Sequence, residues 1–180
     1  MKSPDSQAQG LLANSQLAPL FTPEIQFWAE SIARWSSEQG VDPNVAATVM
    51  QIESCGNPYA QSSAGASGLF QVMPFHFLAN EDVFDPETNA LRGLSYLAKA
   101  LQAANGDVRL AFAGYNGGIS VINFAESSWA NETIRYVYWG SGIYADAQQN
   151  ANTSTRLNEW LAAGGSSLCD QARQRLGIKQ

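Results

Sequence analysis

The chain has 180 residues, of which 45% are hydrophobic and 14% charged, with a formal net charge of −6 and a single histidine, His76. That length suits one domain with a substantial core, and the composition is globular rather than disordered. The acidic balance offers no basic stripe to neutralise phosphates, which excludes nucleic acid as the expected partner, and one histidine is too few for a paired-histidine zinc site.

No apolar run reaches the length of a membrane span. The start, Met1 to Ser6, is polar and lacks the apolar core of a signal peptide. Residues 1–21, rich in Ser, Gln, Ala and Leu, read as a loosely held leader. Thr22-Pro23-Glu24 is a helix start, with a cap residue, a proline at the first helical position and an acid in the first turn. Ile25, Trp28, Ile32 and Trp35 follow at helical spacing until Gly40. Asp42-Pro43 repeats the start signal, and Val45, Val49 and Ile52 continue a helix that carries Glu53 near its end. The small and polar stretch 55–67 is a loop, followed by a short apolar segment from Gly68 to Met73 that halts at Pro74.

Asp85-Pro86-Glu87 opens a long helix through Leu91, Leu94, Leu97 and Leu101. Asn105-Gly106-Asp107 is a turn and cap before a short helix, Val108 to Ala113, expected to end in Gly114-Tyr115-Asn116-Gly117-Gly118. Ile119 to Phe124 can hold one or two more turns. Asn131-Glu132 opens a helix through Ile134, Val137, Tyr138 and Trp139, with an end expected near Gly140 and Gly142. Two last helices, near 153–162 and 166–176, flank Gly164-Gly165. No segment alternates Val, Ile and Thr with period two, and no internal repeat is present. The expected fold class is all-α: a compact helical domain over 22–147, with a helical extension over 148–180 packed on it. Cys55 and Cys169 can form one disulfide in an exported protein or remain two buried thiols, and the sequence leaves both open.

Glu53 lies three and four residues from Met50 and Val49 and so shares a helix face with apolar side chains. It also sits at the negative pole of its helix. Partial burial and that pole both raise a carboxyl pKa, which is what a general acid requires. On position alone, an ordinary surface Glu in a last turn is the better reading. The surrounding residues reverse that judgement. Glu53-Ser54-Cys55-Gly56-Asn57-Pro58, then Ser62, then Gly65 to Pro74 resemble the signature of the soluble lytic transglycosylase (SLT) catalytic domain family, with its Glu-Ser pair, Asn-Pro turn, Gly-Leu-Met-Gln segment and Met-Pro. Ala113 to Gly118 resembles the family's Ala-Tyr-Asn-Ala-Gly block, and Glu132 to Val137 its Glu-Thr-x-x-Tyr-Val block. The three blocks stand in the family's order, and the resemblance covers roughly residues 23–145. Phe70 stands where Met is usual, and Gly114 where Ala is common; neither touches the reaction chemistry.

The resemblance implies a lysozyme-like fold related to goose-type lysozymes. It also implies a catalytic role for Glu53 and substrate contacts by Ser62, Gln71, Met73, Tyr115, Asn116, Glu132 and Tyr136. Each has a plainer alternative. Ser62 can bond its own loop backbone. Gln71 can be a helix-surface amide, and Met73 plain core. Tyr115-Asn116 can be a helix-capping turn. Glu132 is simply favourable in a first turn, and Tyr136 can be a core tyrosine with a satisfied hydroxyl.

Hydrolysis of β-1,4 glycans ordinarily uses two carboxylates. The motif supplies one. The family's chemistry, as the resemblance implies it, has the acid protonate the bond oxygen between N-acetylmuramic acid and N-acetylglucosamine of peptidoglycan. The same residue then takes the proton of the muramoyl C6 hydroxyl, which attacks C1 to give a 1,6-anhydro product. No metal or organic cofactor is implied, and the partner is the peptidoglycan glycan strand, met outside the cytoplasm by a monomer. Two rivals stand beside this reading. A goose-type hydrolase would need a second acid, for which Asp82 and Asp85 are the candidates. A non-catalytic glycan-binding or assembly domain would need none.

Overall fold

The computed structural model describes residues 17–179. Among these the secondary structure is helical, with two isolated β-bridges, Gln61 with Ser67 and Ser67 with Val72, in the loop after Glu53. The α-helices are α1 (Pro23–Gln26), α2 (Ala29–Gln39), α3 (Pro43–Ser54), α4 (Pro86–Ala103), α5 (Val108–Gly117), α6 (Asn131–Gln148), α7 (Thr155–Trp160) and α8 (Ser166–Leu176). The all-α class expected from the sequence is what these residues form.

The start signals act as anticipated at three helices. Asp42, Asp85 and Asp107 each accept a backbone N–H in the first turn of α3, α4 and α5. Thr22 differs: its side chain makes no capping bond, and its hydroxyl contacts the Cys55 sulfur at 3.4 Å. The helix expected from Thr22 to Gly40 is interrupted at Phe27 and Trp28. The Trp28 backbone N–H turns to Ile25 while its indole N–H donates to the Gly56 carbonyl at 2.9 Å. Periodicity could not reveal this break, because the reason for it lies 28 residues away.

Residues 1–16 lie outside the described residues. Leu17, Ala18, Leu20 and Phe21 are not loose but buried in the main core. On α4 the apolar stripe is narrower than expected: Leu94 and Leu97 are fully buried, Leu101 partly so, and Leu91 exposed. Helix α5 runs on through Tyr115 and Asn116, so these residues are helical and not a capping turn; the positive φ falls at Gly118. Helix α6 continues past Gly140 and Gly142. At Gly140 a Cβ would stand 3.1 Å from the Phe112 ring, so this glycine marks where α5 packs tightly on α6, not where a helix ends.

Helix α3 packs on α6, and α5 on both α4 and α6. The C-terminal helix is held from two sides. Cys169 of α8 is bonded to Cys55, at the C-cap of α3, with the Cα atoms 5.0 Å apart. Arg173 donates to the fully buried Glu24 carboxylate of α1 at 2.8 and 2.7 Å. Glu24 is thus a buried ion-pair partner and not the solvated first-turn acid its position suggests. Its carboxylate and the two sulfurs form a compact group of metal-ligand atoms, but the sulfurs bind each other and the carboxylate binds Arg173.

Candidate active site

Glu53 occupies the last turn of α3, two residues before the left-handed Cys55 that ends the helix. Its neighbour Ser54 secures the chain beyond. The Ser54 hydroxyl donates to the Leu69 carbonyl at 2.7 Å and accepts the Gly56 N–H at 3.1 Å. The Glu-Ser pair thus ties the end of α3 to the Gly68–Met73 segment.

That segment is a tight turn clamped from α4. The fully buried Asn89 accepts the Phe70 N–H at 2.9 Å and donates to the carbonyls of Ser67 and Val83 at 2.7 and 3.0 Å. At Gly68, φ is +78° and a Cβ would stand 2.3 Å from the Asn89 amide, so only glycine fits. No motif in the sequence marks Asn89. Its signal was an amide inside an apolar helix face, where a buried polar group must have partners.

The Glu53 carboxyl is partly buried, and no ion pair among the described residues includes it. Loss of solvation is the main reason its pKa rises to about 8; the Tyr136 hydroxyl opposes the rise, and the charge of Glu132 adds to it. Tyr136 is buried on α6, and its hydroxyl makes no hydrogen bond of ordinary length. Its polar partner is therefore Glu53, across a long contact. Burial first, and then the Glu53 charge, holds the hydroxyls of both Tyr136 and Tyr115 well above the ordinary tyrosine range, so both remain protonated donors.

Beside Glu53, a cavity of about 240 Å³ is lined by Gln71, Met73, Tyr115 and Asn116, together with Phe75, His76 and Tyr96. Glu53 does not line this cavity itself; it reaches it through its neighbour Tyr115. The Tyr115 hydroxyl donates to the Phe70 carbonyl at 2.7 Å, which locks the ring. Thr133 of α6 donates to the Asn116 carbonyl oxygen at 2.8 Å, leaving the Asn116 N–H groups free to donate. Gln71 has a positive φ of 46°, and its amide nitrogen donates to the carbonyls of Ala60 and Gly68, each at 3.1 Å. Its side chain can therefore offer the cavity an acceptor only, where the sequence alone allowed both donor and acceptor.

The other expected residues divide. Glu132 is exposed in the first turn of α6, and its charge acts on Glu53. Ser62 is exposed, accepts the Ala66 N–H at 3.0 Å and is not in the cavity wall, as its plainer loop reading anticipated. Asp82 accepts the Phe84 N–H and Asp85 caps α4, so both carboxylates are engaged in local backbone geometry. Tyr96, Phe75 and His76 were missed: nothing in their spacing links a loop after Pro74 to the middle of α4.

Residues 30–137 match the family model of the transglycosylase SLT domain. The chain is 35% identical over 111 residues to a transglycosylase of Enterobacteria phage PRD1, covering 61% of this chain and 40% of that protein. It is 30% identical over 129 residues to the membrane-bound lytic murein transglycosylase E of Buchnera aphidicola, covering 61% of this chain and 58% of that one. It is 30% identical over 130 residues to the soluble lytic murein transglycosylase of Escherichia coli, covering 58% and 20%. The chain therefore spans between a fifth and somewhat over half of the length of these relatives. Among solved structures, an inactive mutant of the lytic transglycosylase Slt from Pseudomonas aeruginosa matches over 84% of this chain and 24% of its own, at 20% identity and a TM-score of 0.49. The match of the family model over more than half of the chain decides the assignment: the chain belongs to the transglycosylase SLT domain family.

Proposed function

We propose that this chain is a peptidoglycan lytic transglycosylase, cleaving the β-1,4 bond between N-acetylmuramic acid and N-acetylglucosamine to leave a 1,6-anhydromuramoyl end. The observation that carries this reading is the Glu53 carboxyl in the last turn of α3, partly buried beside Tyr136 with no ion-pair partner among the described residues, a setting whose lost solvation raises its pKa to about 8. A proton at that pKa can be given to a glycosidic oxygen near neutral pH. The resulting carboxylate, poorly solvated, is then basic enough to take a proton back from the muramoyl C6 hydroxyl. One residue thus serves as acid and base in turn, and the C6 oxygen replaces water as nucleophile. Atoms balance: the C1–O bond to the leaving sugar breaks, C1–O6 forms, and one proton passes through Glu53.

Tyr136 orients the Glu53 carboxyl, and Glu132 keeps its proton on. Asn116 donates and Gln71 accepts hydrogen bonds from the sugar substituents, while Tyr115 and Met73 supply apolar wall. Ser62 has its hydroxyl proton left to donate from the loop. The catalytic unit is residues 22–147, with 148–180 clamped onto it. The Cys55–Cys169 disulfide supports action outside the cytoplasm, since such bonds persist in oxidising compartments. Asp82 and Asp85 each accept a local backbone N–H and neither lines the cavity beside Glu53, which weakens the hydrolase alternative. Loss of cell-wall turbidity by the parent protein and not by Glu53→Gln tests the role of Glu53, and the mass of the released muropeptides tests the product.

A further inference from the structure

The aromatic side chains beside Glu53 continue outward as a connected row. Tyr115 packs against Tyr96 with ring centroids 5.7 Å apart, Tyr96 against His76 at 4.7 Å, and His76 against Phe75 at 4.5 Å. All four line the same cavity. The inner end of the row, Tyr115, is partly buried and close enough to feel the Glu53 charge, and the outer end is open: Phe75 is 76% exposed, the most exposed of the large hydrophobic side chains among the described residues.

The backbone under Phe75 is firm. Pro74 begins a 3-10 turn, Pro74–His76, in which the His76 N–H bonds the Met73 carbonyl at 3.0 Å and the Phe77 N–H bonds the Pro74 carbonyl at 3.2 Å. A fixed, solvent-facing phenyl ring has no role in the core, and it gains by covering its face with another apolar face. The C–H faces of a pyranose chain offer this, whereas the acetamido and hydroxyl edges suit the donors and acceptors deeper in.

We propose that Phe75 is a sugar-stacking platform that sets substrate length: it binds a glycan ring several residues along the strand from the bond cleaved beside Glu53. This rests on the glycan-cleaving reading above and adds a specificity determinant to it. Phe75 touches neither Glu53 nor Tyr136 in this role. It strengthens binding only for strands long enough to reach it.

The test uses the Glu53→Gln protein, which separates binding from cleavage, and peptide-free strands of alternating N-acetylglucosamine and N-acetylmuramic acid, two and eight sugars long. Calorimetry is expected to show that adding Phe75→Ala weakens the eight-sugar strand about tenfold and leaves the two-sugar strand within twofold, while Phe75→Trp preserves the long-strand affinity. Because Phe75 is largely exposed, its removal should leave the melting temperature unchanged. An equal loss on both strands, no loss on either, no binding of the long strand, or a loss seen only when stem peptides are attached overturns the proposal. Any of these can occur while the parent enzyme still releases anhydro products, so failure here is distinct from failure of the catalytic reading.

Discussion

The buried Tyr136 hydroxyl of α6 faces the partly buried Glu53 carboxyl at the end of α3, without a hydrogen bond of ordinary length. Tyr136 favours the ionised form of Glu53 and thereby limits how far burial raises its pKa. Tyr136→Phe should shift the alkaline limb of the kcat/KM profile upward from about pH 8. It should also lower kcat by about 10–100-fold through loss of the orienting hydroxyl. The pH–rate profile of the variant checks both. A lower kcat with an unmoved limb would assign Tyr136 to the substrate instead.

Glu132 acts in the opposite direction. Its negative charge raises the Glu53 pKa, so Glu132→Gln should move the same limb downward. The shift should shrink in high salt, because Glu132 is exposed. A salt series on both proteins measures this.

The raised pKa also has a consequence for stability. Glu53 keeps its proton in the folded chain up to about pH 8 but loses it near its ordinary value of 4.5 when unfolded. Between those values the folded state binds more protons, so this contribution is complete below pH 4.5 and declines as pH rises toward 8. Glu53→Gln should therefore match the parent in stability near pH 4 and exceed it by roughly 1–3 kcal/mol near pH 8, while losing about 10²–10⁴ in rate. Denaturant melts at the two pH values provide the comparison.

The disulfide fastens α8 to the C-terminal end of α3, and the buried ion pair fastens it to α1. Replacing both Cys55 and Cys169 by Ala should cost about 2–4 kcal/mol. Arg173→Ala should cost about 3 kcal/mol, because it leaves Glu24 buried without its partner. Urea melts with and without reductant separate the two contributions; only the arginine variant should lose further stability on reduction.

The candidate acid and the residues around it were legible in the sequence because each sits in a compact motif, and the helices of Glu53 and Tyr115-Asn116 each begin with a capping aspartate. Glu53, Tyr115-Asn116 and Tyr136 needed only the correct helices to meet, and Asp42 and Asp107 mark two of those helices plainly. What stayed hidden depends on contacts between distant segments. Trp28 breaks its helix because of Gly56, and Asn89 serves the turn at 67–70. Tyr96 joins a loop aromatic to Tyr115, and Glu24 finds Arg173 across 149 positions. Gly140 and Gly142 read as stops, although at both the missing Cβ makes room for a neighbouring side chain.

The central claim, that Glu53 acts alone as acid and then base, is tested most directly by the mass of the muropeptides released from purified peptidoglycan. The account predicts 1,6-anhydromuramoyl products one water lighter than hydrolytic ones, formed by the parent protein and absent with Glu53→Gln. A product pool ending in reducing N-acetylmuramic acid would contradict it and require a second carboxylate to deliver water.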